Sequence, residues 1–202
     1  MQREFFDLDG QTNQVRVIDQ PADVKGALNT LFDLHTLRAQ AESMDVRHPD
    51  RFAHGINRQF VTEYAVSMAS CSKAHIFELV IGGKPAASQL TFTMGKDLWF
   101  FASGFDPNWR RYGVMTMLTI EVMQWALRSN YEVVNLSCGH DRGKSRWRPS
   151  EITFTHVLEK SPGLRGRLAM RSYRVLDDAR HLSARLRGYR SGNSSNGGMT
   201  AD

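Results

Sequence analysis

Cysteine is scarce in this chain of 202 residues, where Cys71 and Cys138 are the only two. Two cysteines so far apart form neither a disulfide framework nor the paired spacing of a zinc finger. The seven histidines are scattered without the spacing of metal ligands, so the sequence predicts no metal site. The lack of a disulfide framework favours a protein of the reducing cytoplasm.

Long hydrophobic runs are also missing. No stretch approaches the ~18 consecutive apolar residues of a membrane-spanning helix, and the N-terminus lacks the apolar core of a signal peptide. We therefore predict neither a membrane span nor a secretory leader. The hydrophobic content of 41% over 202 residues is sufficient for one full-sized core.

Acidic residues are scarce in one region only, residues 161–202. That region holds eight arginines against three aspartates, which accounts for the whole net charge of +5 and leaves residues 1–160 neutral. Apolar residues recur there at helical intervals: Leu164, Leu168, Val175, Ala179, Leu182 and Leu186. We predict a main domain over 1–160, a basic amphipathic helix over 161–190 and a disordered Gly/Ser/Asn-rich tail over 191–202. The helix either binds an anionic membrane or nucleic acid, or packs on the protein itself.

Alternating apolar residues separated by glycine turns predict a sheet. The predicted strands are Gln14–Ile18, Phe77–Ile81, Gln89–Met94, Leu98–Ala102, Glu132–Ser137 and Glu151–Glu159. Helical spacing predicts helices over Asp19–Glu42, Ile56–Ser70 and Val114–Arg128, the last with a polar face at Glu121, Gln124 and Arg128. The order of these elements predicts an α+β fold with a mixed, mostly antiparallel sheet of five to seven strands and helices on both faces.

The segment that follows the predicted strand Leu98–Ala102 has the features of an anion site. Asp106-Pro107 turns the chain, and Arg110-Arg111 precede Gly113 and the start of a helix. The N–H groups at a helix N-terminus, with about half a positive charge, suit a phosphate group. The alternative is an ordinary turn with two solvated arginines.

Five segments, in this order along the chain, resemble the GNAT acyltransferase superfamily. They are Leu34–Arg38, Ser103–Pro107, the Arg-rich turn into Met115–Leu118, Gly139, and Lys144–Trp147. Within the superfamily they resemble FemAB-like and CelD-type acetyltransferases of polysaccharide and cell-wall synthesis. The similarity extends over residues 28–147.

This resemblance implies acetyl-CoA or another acyl-CoA as the donor. It places the coenzyme A diphosphate on the turn formed by Arg110, Arg111, Tyr112, Gly113, Val114, Met115 and Thr116. Two positions depart from the family pattern: Met115 replaces a small residue, and Gly143 replaces a tyrosine. The resemblance also makes Lys144, Arg146 and Trp147 a wall that faces a phosphate or a sugar-linked acceptor, with a solvated turn as the alternative.

Transfer of an acyl group to an amine requires a proton acceptor, because an amine with a pKa near ~10 is protonated at neutral pH. The candidates are Asp106, which follows the predicted strand Leu98–Ala102, and the pair His140 and Asp141, which follows the next predicted strand. The alternative role for Asp106 is to cap the turn at Pro107. We interpret Cys138 as a buried thiol.

Three further histidines are either structural residues or candidate ligands of the acceptor. We interpret His35 as a hydrogen-bonded structural residue. His48 and His54 lie in a polar loop. They either bind the acceptor or are ordinary residues of a surface loop.

Three functions remain open at this stage. The first is an enzyme that transfers an acyl group to an amine or hydroxyl of a small or sugar-linked acceptor. The second is a non-catalytic module that binds a membrane or nucleic acid, and the third is an aminoacyl-tRNA-dependent FemAB-type ligase. The FemAB resemblance implies that the chain pairs either with a second GNAT-like half or with a copy of itself. The basic helix predicts contact with the inner face of the membrane.

Overall fold

The computed structural model describes residues 12–41, 49–139, 142–153, 159 and 161–176. The chain divides into two compact units, Met1–Pro149 and Ser150–Asp202. The sheet and its covering helices belong to the first unit.

One five-stranded sheet organises the first unit, in the order β1-β2-β3-β4-β5. The strands are β1 (Asn13–Ile18), β2 (Ala74–Ile81), β3 (Lys84–Met94), β4 (Asp97–Phe105) and β5 (Val133–Asn135). The first three pairings are antiparallel and β4 pairs with β5 in parallel. The predicted α+β fold with a mostly antiparallel sheet is therefore confirmed, as is the interior position of the strand around Leu98–Ala102.

Helices cover both faces of this sheet. α1 (Pro21–Gln40) and α2 (Gly55–Ala69) pack with the sheet around one apolar cluster, and α3 (Val114–Arg128) packs with the sheet around a second. The predicted helix over 114–128 is confirmed at both ends. β2 is buried along its whole length because both of its faces are covered, so its alternation separates two cores and not core from solvent.

Three predictions of detail are corrected. Glu121, predicted on the polar face of α3, is only 6% exposed, because it follows Leu118 by three residues and Val114 by seven and so shares their buried face. β5 is three residues long where six were predicted. Residues 151–153 of the predicted last strand have no regular structure, and 154–158 lie outside the described residues.

In the second unit, residues 164–176 are helical, and they lie within the range 161–190 that the sequence assigns to a C-terminal helix. Leu164, Leu168 and Val175 are exposed there, with 73% of the surface of Leu164 accessible. Residues 177–202, with the rest of the helix and the predicted tail, lie outside the described residues. Among the helices that the structure describes, none has the length and apolar character to cross a membrane.

Candidate active site

β4 and β5 separate after three residue pairs, and the site lies in the gap. Asp97–Trp99 pair with Val133–Asn135, after which β4 continues beside β3 to Phe105 and the other chain segment leaves the sheet. The gap opens into a cavity of about 400 Å³. Such an opening between two parallel strands that are joined by a crossover helix is a place where a ligand can reach backbone groups of both strands.

The described residues that border the cavity come from four parts of the first unit. They are His35, Arg38, Pro49 and Arg51 near α1 and α2, Gln89 and Phe100–Ser103 with Phe105 from the sheet, Met115, Thr116 and Thr119 from α3, and Leu136–Cys138, Gly143, Lys144, Arg146 and Trp147 after β5. Of the residues proposed from the sequence, Met115, Thr116, Lys144, Arg146 and Trp147 therefore meet at one cavity.

A β-bulge shapes the β4 wall. Leu90 pairs with Ala102 and Thr91 pairs with Phe100, so Phe101 is an extra residue in β4. Phe101 and Ala102 both pack in the α1/α2 cluster, whereas Phe100 packs in the α3 cluster. A bulge takes backbone groups out of the ladder, so the wall gains polar main-chain groups beside the gap.

Gln89 holds the strand at this bulge. Its side chain is 4% exposed, and its Nε2 donates to the carbonyl oxygen of Ala102 at 3.0 Å and to that of Leu90 at 2.9 Å. A buried amide with two such bonds fixes the irregular backbone. The sequence analysis treated Gln89 as one polar position of an alternating strand, and nothing in its spacing signals this role.

α1 approaches β4 very closely at Gly104. A Cβ atom built on Gly104 would lie 2.7 Å from the carbonyl carbon of Leu34 and 2.9 Å from the Cα of His35, and closer still to the backbone nitrogen of His35. Only glycine permits this approach. The contact brings His35 and the next turn of α1, with Arg38, to the cavity.

His35 is a positioned structural residue, as the sequence analysis proposed. Its Nδ1 lies 2.9 Å from the carbonyl oxygen of Ser103, which can only accept, so Nδ1 carries the proton. Nε2 then accepts from the backbone N–H of Arg51 at 3.4 Å. The ring is 8% exposed and meets Phe52 edge-on at 4.8 Å between centroids. His35 thus ties β4 to the loop before α2.

The turn before α3 has the geometry of an anion site. The Asp106 carboxylate accepts from the backbone N–H of Asn108 at 3.0 Å and caps a 3-10 turn, Pro107–Tyr112. Gly113 then adopts the left-handed conformation with φ 67°, and α3 begins at Val114. A Cβ built on Gly113 would meet no atom within 4 Å, so the approach to this helix N-terminus is open.

The capping role confirms the structural alternative for Asp106, which is not among the residues bordering the cavity. Arg110 and Arg111 are exposed on the same turn, and the guanidinium of Arg111 lies 4.5 Å from the ring centroid of Tyr112. The donor-binding roles of these residues and of Gly113 and Val114, and the catalytic role of Asp106, stay predictions.

The segment after β5 is held together by its own basic residues. Lys144 Nζ donates to the carbonyl oxygen of Cys138 at 2.6 Å, and also to those of Ser137 and Gly139. Arg146 donates to Thr116 Oγ1 at 2.7 Å and so connects this segment to the first turn of α3. Both side chains have structural partners here, and their predicted contact with a ligand would add to these bonds.

Several sequence-based assignments are corrected or lie outside the description. Cys138, interpreted as buried, is exposed, because β5 ends at Asn135 and the chain has left the sheet by then. His54 stands at the N-cap position of α2 and does not border the cavity. His48, His140 and Asp141 lie outside the described residues. No group of three or more metal-ligating side chains occurs in the part of the chain that the structure describes.

Two buried titratable groups lie away from the cavity. Burial lowers the pKa of His75, with a smaller opposite effect from Asp19. Burial raises the pKa of Glu78, which Arg16 partly offsets through an ion pair at 2.8 Å. Neither group borders the cavity, so both bear on stability and not on the site.

With this geometry in place, comparison with known proteins is decisive for the family. Residues 2–160 match the family described as "Acetyltransferase (GNAT) domain". The chain belongs to the GNAT acetyltransferase family. Its members are acetyltransferases that use acetyl-CoA, and this chain is accordingly an N-acetyltransferase of that family. No curated protein matches the sequence.

Solved GNAT structures share the fold at low sequence identity. A predicted acetyltransferase from Clostridium acetobutylicum, solved with acetyl-CoA, has a TM-score of 0.53 at 9% identity, over 73% of this chain and 96% of the other. An aminoglycoside acetyltransferase from an uncultured soil metagenomic sample, in complex with sisomicin, has a TM-score of 0.50 at 12% identity, over 73% and 97%. A GCN5-related N-acetyltransferase from Ralstonia eutropha JMP134 has the same TM-score at 12% identity, over 75% and 99%.

Proposed function

We propose that this GNAT protein transfers an acetyl group from acetyl-CoA to an amine, with the donor diphosphate on the first turn of α3 and the thioester in the gap between β4 and β5. The observation that carries the proposal is the continuity of the cavity from that helix turn to the β4 bulge. Met115 and Thr116 border its α3 side, and Phe100 and Phe101 border the bulge.

The chemistry of transfer fits this placement. The amine nitrogen attacks the thioester carbon, the carbonyl oxygen becomes an oxyanion, and the C–S bond then breaks to release coenzyme A as a thiolate that takes a proton. The bulge at Phe101 supports this placement, because it takes main-chain groups out of the ladder beside the gap. A backbone N–H that donates to the developing oxyanion is worth about 10²–10³-fold in rate.

For the proton of the attacking amine we keep the residues proposed from the sequence. Asp106 is committed to its cap by the bond to Asn108. His140 and Asp141 follow Cys138, which borders the cavity, by two and three residues in the sequence. We therefore favour His140 and Asp141 over Asp106 as proton acceptors.

Finer assignments are part of the same proposal. The resemblance to FemAB-like and CelD-type enzymes supports a sugar-linked acceptor in polysaccharide or cell-envelope synthesis, and leaves a second GNAT-like half or a homodimer as a partner. The exposed leucines among the arginines of 164–176 support contact with an anionic membrane surface.

Titration calorimetry with acetyl-CoA tests the donor site, with Gly113→Asn as the diagnostic variant. Asparagine tolerates the left-handed conformation and its Cβ has free space in the protein alone, so the fold should persist. The added side chain would stand where a diphosphate approaches, so acetyl-CoA affinity should fall by about tenfold or more, which corresponds to at least ~1.4 kcal/mol.

Gly83→Asn is the matched control. Gly83 also has a positive φ, 78°, and open space around its Cβ, but it lies in the β2–β3 turn. This variant should bind acetyl-CoA like the parent protein. Equal affinity in both variants, or no binding of acetyl-CoA by the parent protein, would refute the proposed donor site.

A further inference from the structure

The described residues that border the cavity include four cationic side chains and no carboxylate. The cations are Arg38, Arg51, Lys144 and Arg146. A partly enclosed cavity with one sign of charge concentrates ligands of the opposite sign. A donor diphosphate on the first turn of α3 accounts for charge on that side, so the position of each cation decides what else is bound.

Arg146 lies on the α3 side of the cavity, and Lys144 belongs to the same segment after β5. Lys144 donates to three carbonyl oxygens of residues 137–139, and Arg146 donates to Thr116 on the first turn of α3. Both cations have these partners within the protein, and their positions need no second ligand to explain them.

Arg51 lies on the other side, where α1 and α2 cover the sheet. Its backbone N–H donates to His35, and its carbonyl oxygen accepts from Asn57 Nδ2 at 2.8 Å. Its guanidinium carbon lies 5.8 Å from the ring centroid of Phe101, which packs with the α1/α2 cluster. Within the described part of the chain Arg51 forms no ion pair.

The loop that carries Arg51 is built rigidly. The Asp50 carboxylate accepts from Thr36 on α1 at 2.9 Å with one oxygen and from the backbone N–H of Phe52 at 2.9 Å with the other. Arg58 of α2 donates to the carbonyl oxygen of Phe52 at 2.8 Å and to Thr36 Oγ1. A rigid support of this kind places a binding group with little entropic cost on ligand binding.

Arg38 lies one turn after His35 on α1, and its guanidinium carbon is 5.4 Å from the ring centroid of Phe105. An aromatic ring under a guanidinium holds the plane of that group, and a planar guanidinium matches the geometry of carboxylate and phosphate oxygens. Two arginines held in this way, from two different elements, border the α1 side of the cavity.

We propose that the acceptor carries an acid group, a carboxylate or a phosphate, which Arg51 and Arg38 bind while its amine reaches the thioester. This rests on the proposed acetyl transfer and names the acceptor class of the same site. The proposed donor diphosphate lies on the first turn of α3. An acid group bound by the two arginines beside α1 therefore belongs to the acceptor.

Calorimetry on the protein saturated with coenzyme A, which carries the diphosphate but has no acetyl group to transfer, tests this with two matched pairs of amines, glycine against glycinamide and glucosamine 6-phosphate against glucosamine. Saturation with coenzyme A fills the α3 side first, so any further anion binding reports the α1 side. At least one acid should bind about tenfold or more tightly than its uncharged-group partner, as expected for charge-assisted hydrogen bonds. Release of the coenzyme A thiol then compares kcat/KM within that pair.

Arg51→Gln should weaken binding of the acid by about 10–100-fold and leave acetyl-CoA affinity within about twofold. Arg38→Gln should act in the same direction. Lys84→Gln removes an equal charge from the exposed start of β3 and should change neither. An acid that is bound no better than its partner in both pairs overturns the acceptor assignment, and so does an Arg51→Gln variant that loses acetyl-CoA affinity instead. Failure of the parent protein to bind acetyl-CoA refutes the donor site independently.

Discussion

Gly104→Ala is the substitution whose effect the structure fixes most closely. The added Cβ would lie 2.7 Å from a carbonyl carbon and 2.9 Å from a Cα atom of α1, where ordinary contacts begin near 3.4 Å. The three nearest atoms all belong to the helix backbone, so rotation of a side chain cannot relieve the clash. α1 must retreat from β4 by roughly 1 Å or β4 must bend.

The magnitude combines two effects. Overpacking against a rigid backbone costs about 1–3 kcal/mol. The retreat also lengthens the 2.9 Å bond between His35 and the carbonyl oxygen of Ser103, whose loss costs about 1 kcal/mol. We expect a loss of about 2–4 kcal/mol in the free energy of unfolding, and a decrease in Tm of about 4–16 °C at ~2–4 °C per kcal/mol.

Thermal unfolding by circular dichroism provides the assay, and Gly26→Ala provides the control. Gly26 lies within α1 with open space around its Cβ, so alanine there should stabilise the helix by about 0.5–1 kcal/mol. The two substitutions are chemically identical and should change Tm in opposite directions. A Gly104→Ala protein as stable as the parent would show that α1 does not rest on β4 as described.

Four further outcomes are expected. His75→Phe should raise Tm by several degrees, because both ring nitrogens of His75 are buried at 6% exposure without a hydrogen-bond partner. The variant should also lose less Tm between pH 7 and 5 than the parent protein. Burial lowers the pKa of His75, so its neutral form stabilises the fold above the ordinary value of 6.5, and this contribution is lost as pH falls through the folded-state pKa. Glu78, whose raised pKa acts in the opposite sense from about pH 4.5 upward, is present in both proteins and cancels in the difference. Gln89→Leu should lower Tm and reduce kcat by at least tenfold with little change in acetyl-CoA affinity, because it removes both side-chain hydrogen bonds that hold the backbone at the bulge. An unchanged kcat would show that the bulge takes no part in the mechanism. Asp106→Asn should retain most of kcat across pH 6–9, whereas a large loss restored at high pH would make Asp106 the proton acceptor. Deletion of residues 161–202 should abolish co-sedimentation with anionic vesicles and leave the Tm of the first unit within a few degrees, and a large decrease in Tm without a vesicle effect would show that the leucines pack on protein instead.

The sequence was sufficient for most of the elements. Alternating apolar residues and glycine turns located β2, β3 and β4. Gly113 marked the start of α3, where the structure has a residue in the left-handed conformation. The bulge was not predictable, since an extra residue such as Phe101 changes hydrogen-bond register without changing composition. The length of β5 was overestimated for a related reason: Leu136 and Ser137 have strand-like neighbours, but β4 has already separated from them.

The site was harder to predict than the fold because its charges are brought together by tertiary packing. Arg51 and Arg38 are distant in sequence from β4, and the contact that delivers them is a glycine with an ordinary φ whose only signal is the absence of a side chain. Arg38 and Gly104 lie in two of the family-like segments, but the sequence does not reveal their contact and assigns no role to Arg51. A glycine inside a strand and a rigid loop after a helix gain meaning only when the packing partner is known.

Met115 shows how a departure from a family pattern can be interpreted once the packing is known. A small residue at this position would allow backbone to approach a phosphate, and a methionine suggests a blocked site. In the structure, however, Met115 borders the cavity and packs partly against the α3 cluster, while the space around Gly113 stays open. The methionine is therefore part of the cavity wall, as Phe100 is, and the helix N-terminus stays accessible. If the donor binds as proposed, we expect Met115 to limit the length of the acyl chain between α3 and β4 and not to block the diphosphate.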